Sequence, residues 1–249
     1  MRMTRIYVDH PLNTTSLTLD EAAGQHLITV LRLKVGAAVQ LFNGQGQECL
    51  GIIQQATRKQ CVVEITQQCA PLPTSPIYTH LGLGIIKGER MDFAIQKSVE
   101  LGAQEITPLF TQFTDVTLNQ ERSEKKQLHW QKVAIHACEQ SGRSDVPIIH
   151  TPRHFADWIA NITAPVRLIL HPYTTEKTLS ITELFTQTAM HYAIAIGPEG
   201  GFHEAEIIAA LAHDFELIQL GKRILRSETA PLTILSILQW LKGDFNARK

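Results

Sequence analysis

Apolar and polar positions along this chain follow two rhythms that meet near residue 73. Before it the apolar runs are short and strand-like: Thr4 to Val8, Val39 to Phe42, Cys49 to Gln54 and Gln60 to Thr66. Asn43-Gly44 follows the second run, and its tolerance of φ > 0 predicts a hairpin turn. Asp20 precedes a periodic stretch carrying His26, Leu27, Val30 and Leu31, which predicts a short capped helix. Three prolines in Cys69-Ala70-Pro71-Leu72-Pro73-Thr74-Ser75-Pro76 then read as a stiff linker.

Beyond the linker, strands alternate with helices. Strands are predicted over His80 to Ile86, Glu105 to Phe110, Val166 to Leu170, Tyr192 to Ile196 and Phe215 to Leu220. Helices are predicted around Met91 to Leu101, Lys126 to Gln140, Glu204 to Ala212 and Ala230 to Lys242. Strands that read as nearly continuous apolar runs are buried on both faces, so the pattern predicts an α/β domain with a mostly parallel sheet. The last helix carries Leu232, Ile234, Leu235, Ile237, Leu238 and Leu241 and leaves little polar face, which predicts burial or a subunit contact. The two domains are expected at 1–72, β-rich, and 77–249, α/β.

The composition suits a folded globular chain of this length: of 249 residues, 44% are hydrophobic and 19% charged. A formal net charge of −1 carries no basic signature, so an RNA partner must be held by local patches. The amino terminus has no signal-like apolar run and no stretch approaches a membrane span, which points to a cytoplasmic protein without a membrane partner. Cys49, Cys61, Cys69 and Cys138 lack C-x-x-C spacing and read as reduced thiols. His150 and His154 are four apart but flank Pro152, and no H-E-x-x-H occurs, so no metal is expected.

Two segments concentrate chemistry. Ile196-Gly197-Pro198-Glu199-Gly200-Gly201-Phe202 and Leu220-Gly221-Lys222-Arg223-Ile224-Leu225-Arg226-Ser227-Glu228-Thr229-Ala230 follow two successive strands, where ligands of parallel sheets bind. Their glycines expose main-chain donors and acceptors. Glu199 lies in the first loop and Glu204 and Glu206 in the next helical turn, where carboxylates already complement the helix dipole. With no phosphate-binding G-x-x-x-x-G-K-[ST] run, a neutral or cationic ligand fits better than a triphosphate. Gly82-Leu83-Gly84 does not complete a dinucleotide fingerprint, because Lys87 holds its sixth position, and instead predicts a strand bulge or close backbone packing.

Positive charge gathers in three groups: Arg2, Arg5, Arg32 and Lys34; Lys87, Arg90 and Lys97; and Arg122, Lys125, Lys126 and Lys132. In a chain of near-zero net charge this segregation makes a backbone-tracking RNA surface plausible. Gly142 reads as a helix-terminating residue, while Gln140 and Arg143 beside it suit a base or a phosphate.

These segments together resemble the RsmE family, the bacterial 16S ribosomal RNA uracil-N3 methyltransferases of the SPOUT superfamily. The two glycine loops carry the resemblance. Supporting matches are His26-Leu27-Ile28-Thr29-Val30-Leu31-Arg32, Lys87-Gly88-Glu89-Arg90-Met91, Gln96-Lys97-Ser98-Val99-Glu100-Leu101-Gly102 and Glu139-Gln140-Ser141-Gly142-Arg143, so it spans essentially the whole chain. Phe42-Asn43-Gly44 departs from the pattern, carrying Asn where an acidic residue is common.

The resemblance implies an amino-terminal PUA-like β-barrel that helps hold RNA, a carboxy-terminal domain with a deep trefoil knot, and a homodimer. It implies S-adenosylmethionine bound by Leu170 and His171, by Ile196, Gly197, Pro198, Glu199, Gly200 and Gly201, and by Leu220, Gly221, Ile224, Leu225, Arg226, Thr229 and Ala230. The implied reaction is methyl transfer to N3 of a uridine in 16S ribosomal RNA or the small ribosomal subunit. Arg226 and Arg143 are the candidate stabilisers of charge on the uracil oxygens and Glu228 the candidate orienter of Arg226; Arg2, Arg5, Arg32, Lys34, Lys87 and Arg90 are the candidate RNA contacts. A methyltransferase of the same superfamily with another RNA target, and a non-catalytic RNA-binding ribosome-assembly protein, are the alternatives; the intact glycine loops speak against the second.

Overall fold

The computed structural model describes residues 3–57, 60–115, 119–173, 178–179, 181, 183 and 188–246. It divides into two compact units, Met1–Thr74 with Ile135–Val146, and Ser75–Ala134 with Pro147–Lys249.

The first unit is built on β1 (Thr4–Tyr7), β2 (Ser16–Leu19), α1 (Glu21–Gln25), β3 (Ala38–Phe42), β4 (Glu48–Ala56) and β5 (Cys61–Cys69). Its sheet runs β1-β3-β4-β5-β2, with β1 parallel to β3 and the other pairs antiparallel. The Asp20 carboxylate accepts from the Ala23 amide at 2.7 Å and starts α1; the backbone then tightens into a π turn over His26–Val30. The hairpin at Asn43 is wider than a two-residue turn: Asn43 Oδ1 accepts from the amides of Gln45 and Gln47, and Gly44 takes φ 74°. Ile6, Leu27, Leu41, Ile53 and Val63 fill the core. Cys49, Cys61 and Cys138 are buried, and all four cysteines are free thiols.

The second unit carries β6 (Tyr78–Gly84), α2 (Glu89–Glu100), β7 (Glu105–Phe110), most of α3 (Gln120–Ser141), β8 (Ile148–Ile149), β9 (Arg153–His154) and α4 (Phe155–Asn161). It continues through β10 (Val166–Leu170), β11 (Thr178–Leu179), β12 (His191–Ile196), α5 (Glu204–Ala212), β13 (Glu216–Ile218) and α6 (Thr229–Leu241). The sheet order is β11-β13-β10-β12-β6-β7-β8, with β9 also on β7, and every pairing is parallel. The α/β expectation holds, with one refinement: β12 and β13 follow each other in the chain but are separated in the sheet by β10.

Small residues on β12 make room for large ones: Ala193 and Ala195 pack in one cluster with Phe155, Trp158 and Phe215. Gly82 faces Trp158 for the same reason, since a Cβ there would stand 2.6 Å from the indole. On α6 Ile234, Leu235 and Leu238 are buried, and the Gln239 amide donates to Leu101 O at 3.0 Å while its oxygen accepts from Ser75 Oγ at 2.8 Å. No helix among the described residues is long and apolar enough to cross a membrane.

Candidate active site

Because β12, β10 and β13 lie side by side and parallel, the segments that follow them leave the same edge of the sheet. Those three segments wall a cavity of about 500 Å³. Leu170, His171, Pro172 and Tyr173 come from the first, Ile196 to Phe202 from the second, and Ile218 to Gly221 with Arg223 to Glu228 from the third.

The backbone explains how the loops come so close. A Cβ on Gly84 of β6 would stand 2.5 Å from Pro198 N, and one on Gly200 2.8 Å from Phe113 Cβ, so both contacts exist because the side chains are absent. Gly201 turns at φ 72°, its amide donating to Pro198 O at 2.9 Å, and Gly221 turns at φ 85°. His171 N donates to Ile218 O at 3.0 Å, and the Gln219 side chain donates to Pro172 O at 2.8 Å, which ties the third loop to the first. At the helix beyond the second loop, His203 and Glu206 form a reciprocal cap, so the Glu206 carboxylate is occupied with the helix end.

The electrostatics of the wall are carried by two acid–base pairs. Glu199 Oε1 meets Arg90 Nη2 at 2.7 Å, which neutralises the acid of the second loop. Glu228 is different: its side chain is only 12% exposed, its Oε1 lies 3.8 Å from Arg226 Nη1, and its Oε2 is buried with no hydrogen-bond partner. A buried carboxylate oxygen without a donor is costly, and positive charge nearby, such as the Arg226 guanidinium, offsets part of that cost. Arg226, 81% exposed, reaches outward from the same wall.

Every predicted cofactor residue lies on this cavity except Thr229, the first residue of α6, whose amide donates to Arg226 O at 2.8 Å. Arg90, expected to meet RNA, is part of the wall. Sequence reasoning did not assign Pro172, Tyr173, Phe202, Gln219 and Ser227 to it; their signal is only proximity to the glycine loops.

The remaining candidates have separate surroundings. Arg143 belongs to the first unit, where its guanidinium pairs with Asp145. Arg5 is corrected from a docking residue to an internal one: its side chain is 7% exposed, pairs with buried Glu48 at 3.1 Å and donates to Gly142 O and Arg143 O at 2.9 and 3.0 Å. Taking an arginine out of water is tolerated only with such a set of acceptors, and they engage both of its terminal Nη groups inside the unit. Arg32 and Lys34 are exposed, with Arg32 at φ 54°. Lys87 is exposed and pairs with Asp115 at 2.8 Å. Arg2 lies outside the described residues.

Residues 73–239 match the RNA methyltransferase domain family and residues 19–66 the RNA methyltransferase PUA domain. The ribosomal RNA small subunit methyltransferase E of Buchnera aphidicola (Acyrthosiphon pisum strain) is 32% identical over 98% of this chain and 96% of its own. The chain belongs to the RsmE family of RNA methyltransferases. Another family member, from Bacillus subtilis, is 29% identical over 93% of both chains. Among solved structures, a Legionella pneumophila protein in complex with the cofactor SAM covers 98% of this chain and all of its own at 37% identity and a TM-score of 0.92. The RsmE protein of Neisseria gonorrhoeae, bound to S-adenosyl methionine, covers 98% and 100% at 31% identity and a TM-score of 0.89.

Gly84→Ala places a methyl group against the Pro198 backbone and is expected to cost about 1–3 kcal/mol. Thermal unfolding checks it; an unchanged midpoint would show that the second loop does not rest on β6.

Proposed function

We propose that this chain is a cytoplasmic S-adenosylmethionine-dependent methyltransferase that modifies N3 of a specific uridine in 16S ribosomal RNA. The observation that carries the reading is the three-loop cavity walled by the glycine loops and bordered by Glu228, in a chain of the RsmE family. The residues present fit the cofactor: main-chain groups of the glycine loops suit an adenine edge, and an acid-bearing wall tolerates a sulfonium. When bound, S-adenosylmethionine supplies an electrophilic methyl group.

The chain's own tasks are alignment and charge stabilisation. Leu170, His171, Ile196 to Gly201, Leu220, Gly221, Ile224, Leu225, Thr229 and Ala230 hold the cofactor, and Arg90 keeps Glu199 charge-compensated. The uracil must lose its N3 proton, and negative charge then spreads over O2 and O4. Arg226 stabilises that charge, joined by Arg143 of a second copy of the chain, and Glu228 orients Arg226. The 3.8 Å separation of Arg226 and Glu228 is within ion-pair reach, and the high exposure of Arg226 leaves it free to swing toward a base.

The PUA-like domain is assigned to 1–72 and the methyltransferase domain to 77–249, with Ile135–Val146 of the latter grouping with the first compact unit. A deep trefoil knot in the second is supported by the strand order. β13 pairs with both β10 and β11, so a strand formed late in the chain lies between two strands that are close together in sequence, the order a knotted chain requires. Knotted chains are rare among folds. A homodimer is supported by Trp240 and Ile224, large apolar side chains left exposed on and before the apolar α6. RNA docking falls to Arg32, Lys34, Lys87 and Arg2.

Mass mapping of 16S ribosomal RNA from a strain lacking this chain tests the target. Loss of a single 3-methyluridine is expected; loss of a methyl group elsewhere would assign another RNA position, and an unchanged RNA would favour a pure binder. Arg226→Ala is expected to slow single-turnover methylation by about 10²–10³ at saturating cofactor and RNA, and a normal rate would remove Arg226 from the chemistry. The Arg32→Ala, Lys34→Ala double variant should reduce the slope of log affinity against log salt by roughly 1.4–1.8; an unchanged slope would take both residues off the docking surface.

A further inference from the structure

The opposite edge of the second unit's sheet carries a group of side chains that methyl transfer does not use. His80 on β6, Glu105 at the start of β7 and His150 just after β8 come together beside a cavity of about 220 Å³ that Arg153, Trp158 and His191 also line. Each of the three offers one ligand atom, all within 4.8 Å of one another. Glu105 Oε2 lies 2.6 Å from His150 Nε2 and 3.6 Å from His80 Nδ1.

The outer atoms of the group are already held. His80 Nε2 contacts Thr107 Oγ1 at 2.8 Å, and the Tyr78 hydroxyl donates to Glu105 Oε1. That leaves His80 Nδ1 and His150 Nε2 both beside Glu105 Oε2, with the two imidazoles stacked at 5.2 Å between ring centroids and the outer atoms of His80 and Glu105 held by partner residues of the kind that orient metal ligands.

We infer that His80 Nδ1, Glu105 Oε2 and His150 Nε2 form a binding site for a divalent transition metal, with zinc the best match to two imidazoles and a carboxylate. Tetrahedral zinc with bonds of about 2.0–2.2 Å sets its ligand atoms about 3.3 Å apart. The two contacts to Glu105 Oε2, 2.6 and 3.6 Å, straddle that value and the two ring nitrogens stand within 4.8 Å of each other, so an ion enters by drawing the imidazoles in and replacing the His150–Glu105 hydrogen bond. The cavity supplies room for water as the fourth ligand. Arg153 sits on the exposed β9, where water screens its charge.

Position assigns the ion its task. His80 and Glu105 lie near the amino-terminal ends of their strands, whereas the glycine loops follow the carboxy-terminal ends. The metal therefore clamps β6, β7 and the segment after β8 rather than taking part in the chemistry.

Titration of the chelator-stripped full chain with Co²⁺, followed by visible ligand-field absorption, tests the site. One tetrahedral Co²⁺ per chain is expected, displaced by Zn²⁺, with Zn²⁺ raising the unfolding midpoint. Glu105→Gln and His150→Gln, whose side chains are partly exposed and whose folding circular dichroism verifies, should each weaken Co²⁺ binding by at least roughly tenfold. No tetrahedral spectrum, or one that both variants retain, would overturn the site and leave a hydrogen-bonded imidazole–carboxylate network.

Discussion

Everything about the three-loop cavity depends on β10 being hydrogen-bonded between β12 and β13, parallel to both. A parallel ladder lines up the carboxy-terminal ends of its strands, so three loops distant in the chain emerge as neighbours. Were β12 and β13 adjacent, as their order in the chain suggests, only two loops would meet. The loop after β10 contributes Leu170 to Tyr173, and Gln219 fastens it to the loop after β13.

The strands that build this framework were legible because burial on both faces leaves an almost continuous apolar signature. Val166–Leu170 and Glu105–Phe110 stand where the pattern puts them, and so does the helix Glu204–Ala212. The two-residue strands β8, β9 and β11 are too short to show any period, and the seven-residue α4 spans barely two turns. Neighbour relations were not legible either, because hydrophobic period reports which face a residue buries and not which strand lies beside it. The glycines carried more: Gly84 was read as a close-packing position and does meet Pro198, a contact no other residue type permits.

Charge was the least legible feature. Arg5, Arg32 and Lys87 look alike in sequence, yet Arg5 is enclosed with Glu48 while the other two face solvent. Arg90 reads as part of a basic helix face and turns out to balance Glu199 on the cavity wall. Likewise Glu105 and His150, 45 residues apart, share a 2.6 Å contact that no local spacing announces. Tertiary folding decides which charges meet, and it leaves Glu228 as the acid whose partner the chain itself does not fully provide.

The central claim is that the three loops form one cofactor pocket, and calorimetric titration of the full chain with S-adenosylmethionine tests it most directly. One cofactor should bind per chain, and Gly221→Val, which forces a β-branched residue to φ 85° on the pocket wall, should bind at least roughly tenfold more weakly. Absence of binding heat from the folded wild-type chain, or equal affinity in the variant, would contradict it.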